Sequence, residues 1–300
     1  MVSALLLAGA VLSISTSPAA PLPFRWGSDG HEMAARAAAE TLPADLPGFF
    51  RDAGEQLVYL NPEPDRWRNR PLRFMDQGWS YDHYIDLENI PPGALEEGDR
   101  WAFLRALYQS GMERPERDAG FLPYRILEMY QRLVTEWRLW RQETDPRRKA
   151  WIEERIVNDA GILGHYVTDA ANPHHTTIHF NGWSANAPNP EGYTTDREFH
   201  ARFESDFVRR RVRYDMVRSR VTADPASVAG NARAAVMTHI TDANAQVETL
   251  YRLDRDVGFA ETSPDDPRTR DFAADRIAAG AVMLRDLWWS AWLESATDPE

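Results

Sequence analysis

The chain of 300 residues contains no cysteine. Disulfide bonds and thiolate zinc sites are therefore excluded, and any metal must be held by His, carboxylate, water or backbone oxygen. Basic residues are also outnumbered, because 34 Lys and Arg face 46 Asp and Glu, giving a net charge of −12. This balance argues against a general polyanion binder, which normally carries a basic face. Bound divalent cations would offset part of the charge locally.

Long apolar segments are scarce as well. Residues 1–20 contain an apolar run that is too short to span a bilayer comfortably and that ends in small residues typical of a signal-peptidase site. The basic residue that usually precedes such a run is missing. We expect a secretory signal at residues 1–20 and a secreted or periplasmic protein. An uncleaved anchor and a misassigned start codon are the alternatives.

The sequence also lacks internal repeats and strand-like alternation of useful length, whereas helical patterns are frequent. Apolar residues make up 43% of the chain, which is enough for a substantial core. We therefore predict an all-α fold in which residues 26–295 form a single multi-helix domain. Helices are predicted at residues 28–42, 101–108, 123–142, 147–171, 195–220, 225–253 and 271–293. Loops are predicted at residues 57–98 and 180–194.

Two His–carboxylate pairs carry most of the chemical information. His165 and Asp169 are four residues apart, so a helix places them on one face, and His200 and Glu204 repeat this spacing. Imidazole together with carboxylate suits zinc or a similar metal. One such pair alone is more often a surface hydrogen bond, but two pairs in one helical chain favour a metal site.

Other histidines extend this set. His31 lies near the start of the first predicted helix and His83 lies in a predicted loop. Because helical bundles often hold metal ions between facing helices, these residues indicate a cage for several ions. His174 and His175 compete for one ligand role, and the other of the two is expected to pack or hydrogen-bond beside the site. The remaining two, His179 and His239, are expected to be structural or to lie on the surface.

The sequence His-Tyr-x-x-Asp-x-x-x-Pro-x-His occurs at His165, Tyr166, Asp169, Pro173 and His175. With this motif and its flanking residues in this order, the chain resembles the superfamily of zinc-dependent phospholipases C and single-strand-specific nucleases. The resemblance covers nearly the whole chain after the predicted signal, and it implies an all-α fold that holds three zinc ions. The flanking residues are Trp26, His31, Asp65, His83, His200 and Glu204.

The resemblance also implies which residues bind the metal. Asp169 would bridge two zinc ions. The implied ligand groups are Asp65, His83 and His165 with Asp169, then His175, His200 and Glu204, and finally Trp26 and His31. Asp65 would in addition orient or deprotonate the attacking water. It is favoured over the nearby Asp52, Asp76 and Asp82 because its distance from His83 is similar to the family pattern.

Trp26 is where the chain departs from the family. The corresponding Trp is the mature N-terminus in the family, and its amino group and carbonyl bind zinc. Here Trp26 follows Arg25, which is a poor residue before a signal-peptidase cut. Either a second protease cuts after Arg25, or Trp26 binds through its carbonyl alone, or the third site is weakened.

The implied reaction is hydrolysis of a phosphodiester by water that clustered zinc ions activate, without a covalent nucleophile. Glu204 and the lack of cysteine resemble the bacterial phospholipases, whereas the spacing of Trp26 and His31 resembles the nucleases. We expect a phospholipase C-like phosphodiesterase. A single-strand nuclease or nucleotidase and a non-catalytic metal-binding module are the alternatives.

Three aromatic residues beside His83 are candidates for substrate binding: Trp79, Tyr81 and Tyr84. Such side chains stack on bases or enclose a quaternary ammonium group, and core packing is the competing explanation for each. The expected partners are a phosphoester, either a phospholipid or single-stranded nucleic acid, and transiently a membrane surface. The sequence indicates no obligate protein partner.

Overall fold

The computed structural model describes residues 28–96, 98–222 and 224–297. The regular structure of these residues is helical, with two isolated backbone bridges, Ile85 to Gly120 and Phe180 to Gly182. The predicted all-α fold is therefore confirmed. Within this part of the chain, none of the helices combines the length and apolar character needed to cross a bilayer. The predicted signal at residues 1–20 and the predicted ligand Trp26 lie outside the described residues.

The α-helices differ greatly in length, and the longest three provide the frame of the molecule. In chain order they are α1 (Ser28–Ala39), α2 (Gly48–Asp52), α3 (Gly54–Leu60), α4 (Glu63–Trp67), α5 (Arg73–Trp79), α6 (Arg100–Gln109), α7 (Pro115–Asp118), α8 (Leu122–Gln142), α9 (Pro146–Asp169), α10 (Phe199–Ala201), α11 (Val208–Arg211), α12 (Tyr214–Arg218), α13 (Ala232–Asn244), α14 (Val247–Asp256) and α15 (Pro267–Glu294). Short 3₁₀ turns occur at Ser80–His83, Leu87–Asn89, Ala94–Glu96 and Pro173–His175, and a π-helical segment occurs at Arg202–Phe207.

Helix α9 has strong local signals at its start. The Asp145 side chain accepts hydrogen bonds from the backbone N–H groups of Arg147 and Arg148, and Pro146 occupies the first helical position. A carboxylate cap followed by proline satisfies otherwise unpaired donors and presets the backbone angle φ for a helix. Asp266 and Pro267 start α15 in the same way. The sequence thus fixes where these long helices begin.

The core lies where α9 packs against α8, α15, α1 and α3. Two glycines on α9 let α3 and the residue after it approach closely. A Cβ added at Gly161 would lie 2.4 Å from the Leu60 Cβ, and one at Gly164 would lie 2.5 Å from the Asn61 Nδ2. Neither position leaves room for a side chain, so the close contact depends on glycine. This approach brings Asn61 beside the C-terminal half of α9, where the predicted ligands lie.

Three predicted elements differ from the structure. The predicted helix at residues 225–253 begins only at Ala232 and is divided at Ala245 and Gln246 into α13 and α14. The segment 57–98, predicted as a loop, contains α4, α5 and three 3₁₀ turns. The predicted helix at residues 195–220 is divided, because Val212 adopts an extended conformation with φ −97° and ψ 124° between α11 and α12. The predicted loop at residues 180–194 contains no helix in the structure. Local sequence thus determined the long elements better than the short ones, whose bounds depend on tertiary packing.

Candidate metal centre

The predicted ligands converge in three groups of His and carboxylate side chains. Within each group, the potential ligand atoms lie within 4.8 Å of one another. The groups are His31, His165 and Asp169, then Asp65, His83 and His165, and finally His175, His200 and Glu204. The structure therefore brings together every predicted ligand that it describes.

Asp169 lies at the middle of the first two groups. Its Oδ2 lies 3.1 Å from the His83 Nδ1 and 3.3 Å from the His165 Nε2. Its Oδ1 lies 3.5 Å from the His31 Nε2 and 3.7 Å from the His175 Nδ1. The spacing of His165 and Asp169 on α9 aims both side chains the same way, as the sequence predicted. One buried carboxylate thus faces imidazoles from four places in the chain.

Asp65 reaches the same place from α4. Its Oδ1 lies 3.9 Å from the His83 Nδ1 and 3.9 Å from the His165 Nε2. Those two imidazole nitrogens are themselves 3.0 Å apart. By contrast, the nearby alternative Asp82 is bound by Arg100 and Arg125 and takes no part in the three groups of the described structure.

The third group is built across an irregular stretch of helix. His200 lies on α10 and Glu204 lies in the π-helical segment, yet the His200 Nε2 is 2.5 Å from the Glu204 Oε2. The His175 Nε2 lies 3.4 Å from the same oxygen, and the Asn172 Nδ2 donates to it at 2.9 Å. Single π turns are frequent at functional sites because they change the direction of side chains within a helix.

Neighbouring acceptors fix the orientation of two imidazoles. The His175 Nδ1 donates to the His83 backbone carbonyl at 2.6 Å, and the His31 Nδ1 donates to the Asn61 Oδ1 at 2.9 Å. In each ring this leaves Nε2 turned towards a carboxylate of the site. Metal-binding histidines are commonly held in this way, because the hydrogen bond on one nitrogen selects the tautomer that exposes the other.

Burial and neighbouring charges act differently on the carboxylates. Burial raises the pKa of Asp65 to about 6. Burial also acts to raise the pKa of Asp169, but the charges of His175 and His165 outweigh it and hold this pKa well below its usual value. Asp169 is therefore anionic throughout the physiological range, as a carboxylate that binds a metal must be.

The histidines divide into two kinds. Burial lowers the pKa of His31 to about 4 and that of His83 well below its usual value, so both imidazoles are neutral. Burial acts in the same direction on His175, but Asp169 and Glu204 outweigh it and raise its pKa to about 9. Metal binding needs neutral imidazole, so ligation by His175 would release a proton.

The donor set fits zinc. Five imidazoles and three carboxylates converge in a buried region, and the chain has no cysteine to compete with them. The Oδ1 of Asp169 is buried without a hydrogen-bond donor of normal geometry, which is costly unless a cation lies beside it. Nitrogen and carboxylate ligands in this proportion are those of zinc sites with open coordination positions.

A cavity of about 1530 Å³ opens onto the site. Its wall includes the ligands His83, His175, His200 and Glu204. Basic and acidic side chains both line it, the basic ones being Arg68, Arg117, Arg197 and Arg209. A substrate could therefore reach the third group and the edge of the second from solvent.

Sequence reasoning missed two residues of the cavity wall. The Arg68 Nη1 lies 3.6 Å from the Asp65 Oδ1, one helical turn along the chain. Asp86 is 6% exposed, its Oδ1 accepts no hydrogen bond, and burial raises its pKa to about 7. The spacing of Asp65 and Arg68 could have revealed the first, whereas nothing in the sequence marks Asp86 as buried.

The predicted aromatic residues take different places. Tyr84 lines the cavity, and its hydroxyl donates to the Arg117 carbonyl at 2.6 Å. The Trp79 ring packs 5.3 Å from that of Trp67, and Tyr81 packs against a small separate core around Phe103. Among the described residues, the cavity wall includes neither Trp79 nor Tyr81. Packing is thus their observed contact, and substrate binding by all three stays a prediction.

The three remaining histidines of the sequence stay outside the metal-ligand groups of the described chain. The His174 ring lies 4.8 Å from that of His200, and neither of its nitrogens forms a hydrogen bond in the structure. His179 stacks on Trp183 at 3.7 Å between ring centroids. The His239 Nε2 lies 3.2 Å from the Val167 carbonyl.

Comparison with known proteins gives a distant result. No protein-family model and no curated protein sequence matches the chain. Among solved structures, an alpha-toxin from Clostridium absonum matches with 13% identity and a TM-score of 0.42, over 91% of this chain and 67% of the toxin chain. The alpha-toxin of an avian strain of Clostridium perfringens matches with 12% identity and a TM-score of 0.43, over 92% and 66%.

This chain thus spans about two thirds of the length of either toxin chain. The three ligand groups are independent of this comparison, because they follow from the geometry of the chain itself. They form from the described residues that the resemblance named.

Proposed function

We propose that the protein is a zinc-dependent hydrolase of phosphodiesters. The observation that carries this proposal is the Asp169 carboxylate, which faces imidazoles on both of its oxygens at the centre of the ligand groups. Three ions are proposed: one held by Asp65, His83, His165 and Asp169, one by His175, His200 and Glu204, and one by Asp169, His31 and Trp26. The chemistry that bound zinc supplies is a lower pKa for coordinated water and positive charge opposite phosphate oxygens.

Asp65 is proposed as the residue that orients the attacking water and accepts its proton. Its carboxylate lies beside His83 and His165 at 3.9 Å, and burial raises its pKa to about 6. A carboxylate in that range is still mostly ionised at neutral pH but is a stronger base than an exposed one. No covalent nucleophile is required in this mechanism.

Arg68 is proposed to bind a phosphate oxygen of the substrate. It lies in the cavity wall one helical turn from Asp65, so a phosphate that it binds would lie next to the proposed base. Guanidinium groups bind phosphate oxygens with two parallel hydrogen bonds, which adds orientation to charge compensation. Arg68 would thereby position the phosphorus for attack.

A phospholipid is the first proposed substrate, and Glu204 supports it by its resemblance to the phospholipases. Acidic side chains with Tyr84 and Phe180 in the cavity wall suit a cationic head group. The four arginines of that wall favour the alternative, a single-stranded nucleic acid with several phosphates. Side-by-side turnover of phosphatidylcholine and single-stranded DNA separates the two, and we expect faster turnover of the lipid.

Metal analysis tests the function itself. Protein purified without chelator should contain at least two and at most three zinc ions per chain, and Asp169→Asn should lose both zinc and hydrolysis of a generic phosphodiester. Asp159→Asn is the matched control, because Asp159 is buried on the same helix about 15 Å away along its axis. A lower zinc content, or hydrolysis that survives Asp169→Asn, would contradict the proposal. If the unaltered protein retains zinc but does not hydrolyse the phosphodiester, a non-catalytic metal-binding module would be favoured.

A further inference from the structure

A short exposed segment stands apart from the core. Residues 70–74 are five consecutive exposed residues that lead into α5, which buries none of its side chains. Phe74 is 88% exposed and Leu72 is 55% exposed. Phe74 is the most exposed large apolar side chain of the described residues, and exposed apolar side chains that lie together mark interaction sites more often than single ones do. The segment, Arg70-Pro71-Leu72-Arg73-Phe74, is called the arginine–phenylalanine patch below.

The charge of this patch is opposite to that of the molecule. Residues 66–74 contain four arginines and no acidic residue, in a chain whose net charge is −12. Arg66 and Arg68 are paired with Glu63 and Asp65. Among the described residues, Arg70 and Arg73 have no ion pair, and the Arg73 guanidinium lies 5.6 Å from the centre of the Phe74 ring. Two guanidinium groups without an ion pair therefore lie in the same five-residue segment as two exposed apolar side chains.

The patch begins two residues after Arg68, a residue of the cavity wall. After Arg68 the chain turns tightly, with the Leu72 N–H donating to the Asn69 carbonyl at 2.7 Å. The Asp76 N–H donates to the Leu72 carbonyl at 3.0 Å, which starts α5 directly. The patch is therefore held by backbone hydrogen bonds, a few residues from the proposed phosphate contact.

We propose that the arginine–phenylalanine patch docks the protein on membranes that contain anionic phospholipids. Phe74 and Leu72 would enter the boundary between head groups and acyl chains, while Arg70 and Arg73 would contact lipid phosphates. An aliphatic side chain gains by leaving water but does not stack on a base, so Leu72 favours a lipid surface over nucleic acid. The proposal deepens the proposed function by placing phospholipid beside the cavity, but docking itself is measurable without turnover.

Vesicle co-sedimentation of the zinc-loaded protein tests this docking. Vesicles of phosphatidylglycerol mixed with phosphatidylcholine are compared with vesicles of phosphatidylcholine alone. The double variant Leu72→Ser with Phe74→Ser should bind the mixed vesicles at least about tenfold more weakly, because it removes the apolar contact. The variant Arg70→Gln with Arg73→Gln should bind them about tenfold more weakly too, and this loss should shrink at high salt and with phosphatidylcholine alone.

Trp151→Ser is the matched control. Trp151 is also a large exposed side chain, 51% accessible, with an Arg147 guanidinium 5.1 Å from its ring centre. Trp151 lies on α9, about 21 Å along the helix axis from His165. It is also distant in sequence from the arginine–phenylalanine patch. Its vesicle binding should equal that of the unaltered protein. All variants replace exposed residues, so their circular dichroism should be unchanged.

Turnover of a soluble substrate, bis(p-nitrophenyl) phosphate, separates docking from catalysis. Loss of vesicle binding with unchanged soluble turnover supports both proposals. Loss of vesicle binding in a protein without any phosphodiesterase activity supports docking and refutes the proposed function. Docking is overturned if the unaltered protein does not bind mixed vesicles, or if neither patch variant weakens binding. It is equally overturned if the patch variants lose binding to a single-stranded oligonucleotide while vesicle binding persists.

Discussion

Helix α9 carries two buried acidic side chains, Asp159 near its middle and Asp169 at its last position. Both are almost inaccessible, at 3% and 1% exposure. Asp169 faces imidazoles, whereas Asp159 interacts with a second carboxyl group, that of Glu136, and with the Arg132 guanidinium. Burial is thus nearly equal at the two positions, and the neighbours differ.

The neighbours give the two positions opposite properties. Imidazoles hold the pKa of Asp169 well below its usual value. Burial first, and the charge of Asp159 second, raise the pKa of Glu136, which lies on α8. An imidazole that loses its proton becomes a metal ligand, but a guanidinium does not lose its proton in proteins. The C-terminal end of α9 is therefore suited to a metal ion, whereas Glu136 on α8 keeps its proton more readily than an exposed carboxyl group does.

The largest expected effect is the response to metal removal. Chelation should lower the melting temperature of the unaltered protein strongly, because a ligand present at a thousandfold excess over its dissociation constant stabilises by about 4 kcal/mol. Asp159→Asn should respond in the same way, whereas Asp169→Asn should be insensitive to chelator. Differential scanning calorimetry with and without chelator measures this. If chelator lowered the melting temperature of Asp159→Asn and Asp169→Asn equally, Asp169 would not differ from Asp159 in metal binding.

The next effect concerns two arginines that lie beside buried acidic side chains, Arg68 beside Asp65 and Arg132 beside Asp159. Arg68→Ala should lower kcat/KM for a phosphodiester by about 100-fold or more, because a charge that stabilises the transition state is removed, with the zinc content unchanged. Arg68→Lys should restore part of the loss. Arg132→Ala, the counterpart beside Asp159, should leave kcat/KM unchanged. Steady-state kinetics with zinc analysis test this pair, and a similar loss in both variants would argue against a role of Arg68 in catalysis.

A smaller effect is expected in stability against pH. Burial raises the pKa of Glu136 in the folded state above its usual 4.5. At a pH between the unfolded-state pKa and the folded-state pKa, the folded state therefore binds more protons than the unfolded state. Stability from this group is therefore lost as pH rises through that window. Glu136→Gln should remove this loss and stabilise the protein by about 1 kcal/mol at mildly alkaline pH relative to mildly acidic pH. Urea unfolding at both pH values measures it, and an unchanged pH dependence in the variant would contradict it.

The sequence revealed the Asp169 centre far better than the Asp159 centre. The spacing of His165 and Asp169, and of His200 and Glu204, depends only on helix geometry, so these pairs could be predicted from local sequence. Asp65 needed the resemblance, because nothing local shows that α4 reaches α9. Their approach depends on tertiary contacts such as Gly164 against Asn61.

The short helices show the same limit. Helix α5 buries no side chain, so its residues carry no amphipathic pattern that could reveal it. The π-helical segment at Arg202–Phe207 likewise has no local signal, and its Phe203 and Phe207 are buried in the core. Local pattern therefore fixed the long helices and the paired ligands, and packing fixed the rest.

The smallest expected effect concerns the third ion, whose proposed ligand Trp26 lies outside the described residues. If the mature chain begins at Trp26, its free amino group can join His31 and Asp169, and the protein should hold three zinc ions. If Arg25 or earlier residues remain, the zinc content should fall by one ion, because His31 and Asp169 alone provide too few ligands for a closed site. N-terminal sequencing and zinc analysis of the same sample measure both quantities. Three ions in a chain that retains Arg25 would show that the Trp26 amino group is not needed for the third ion.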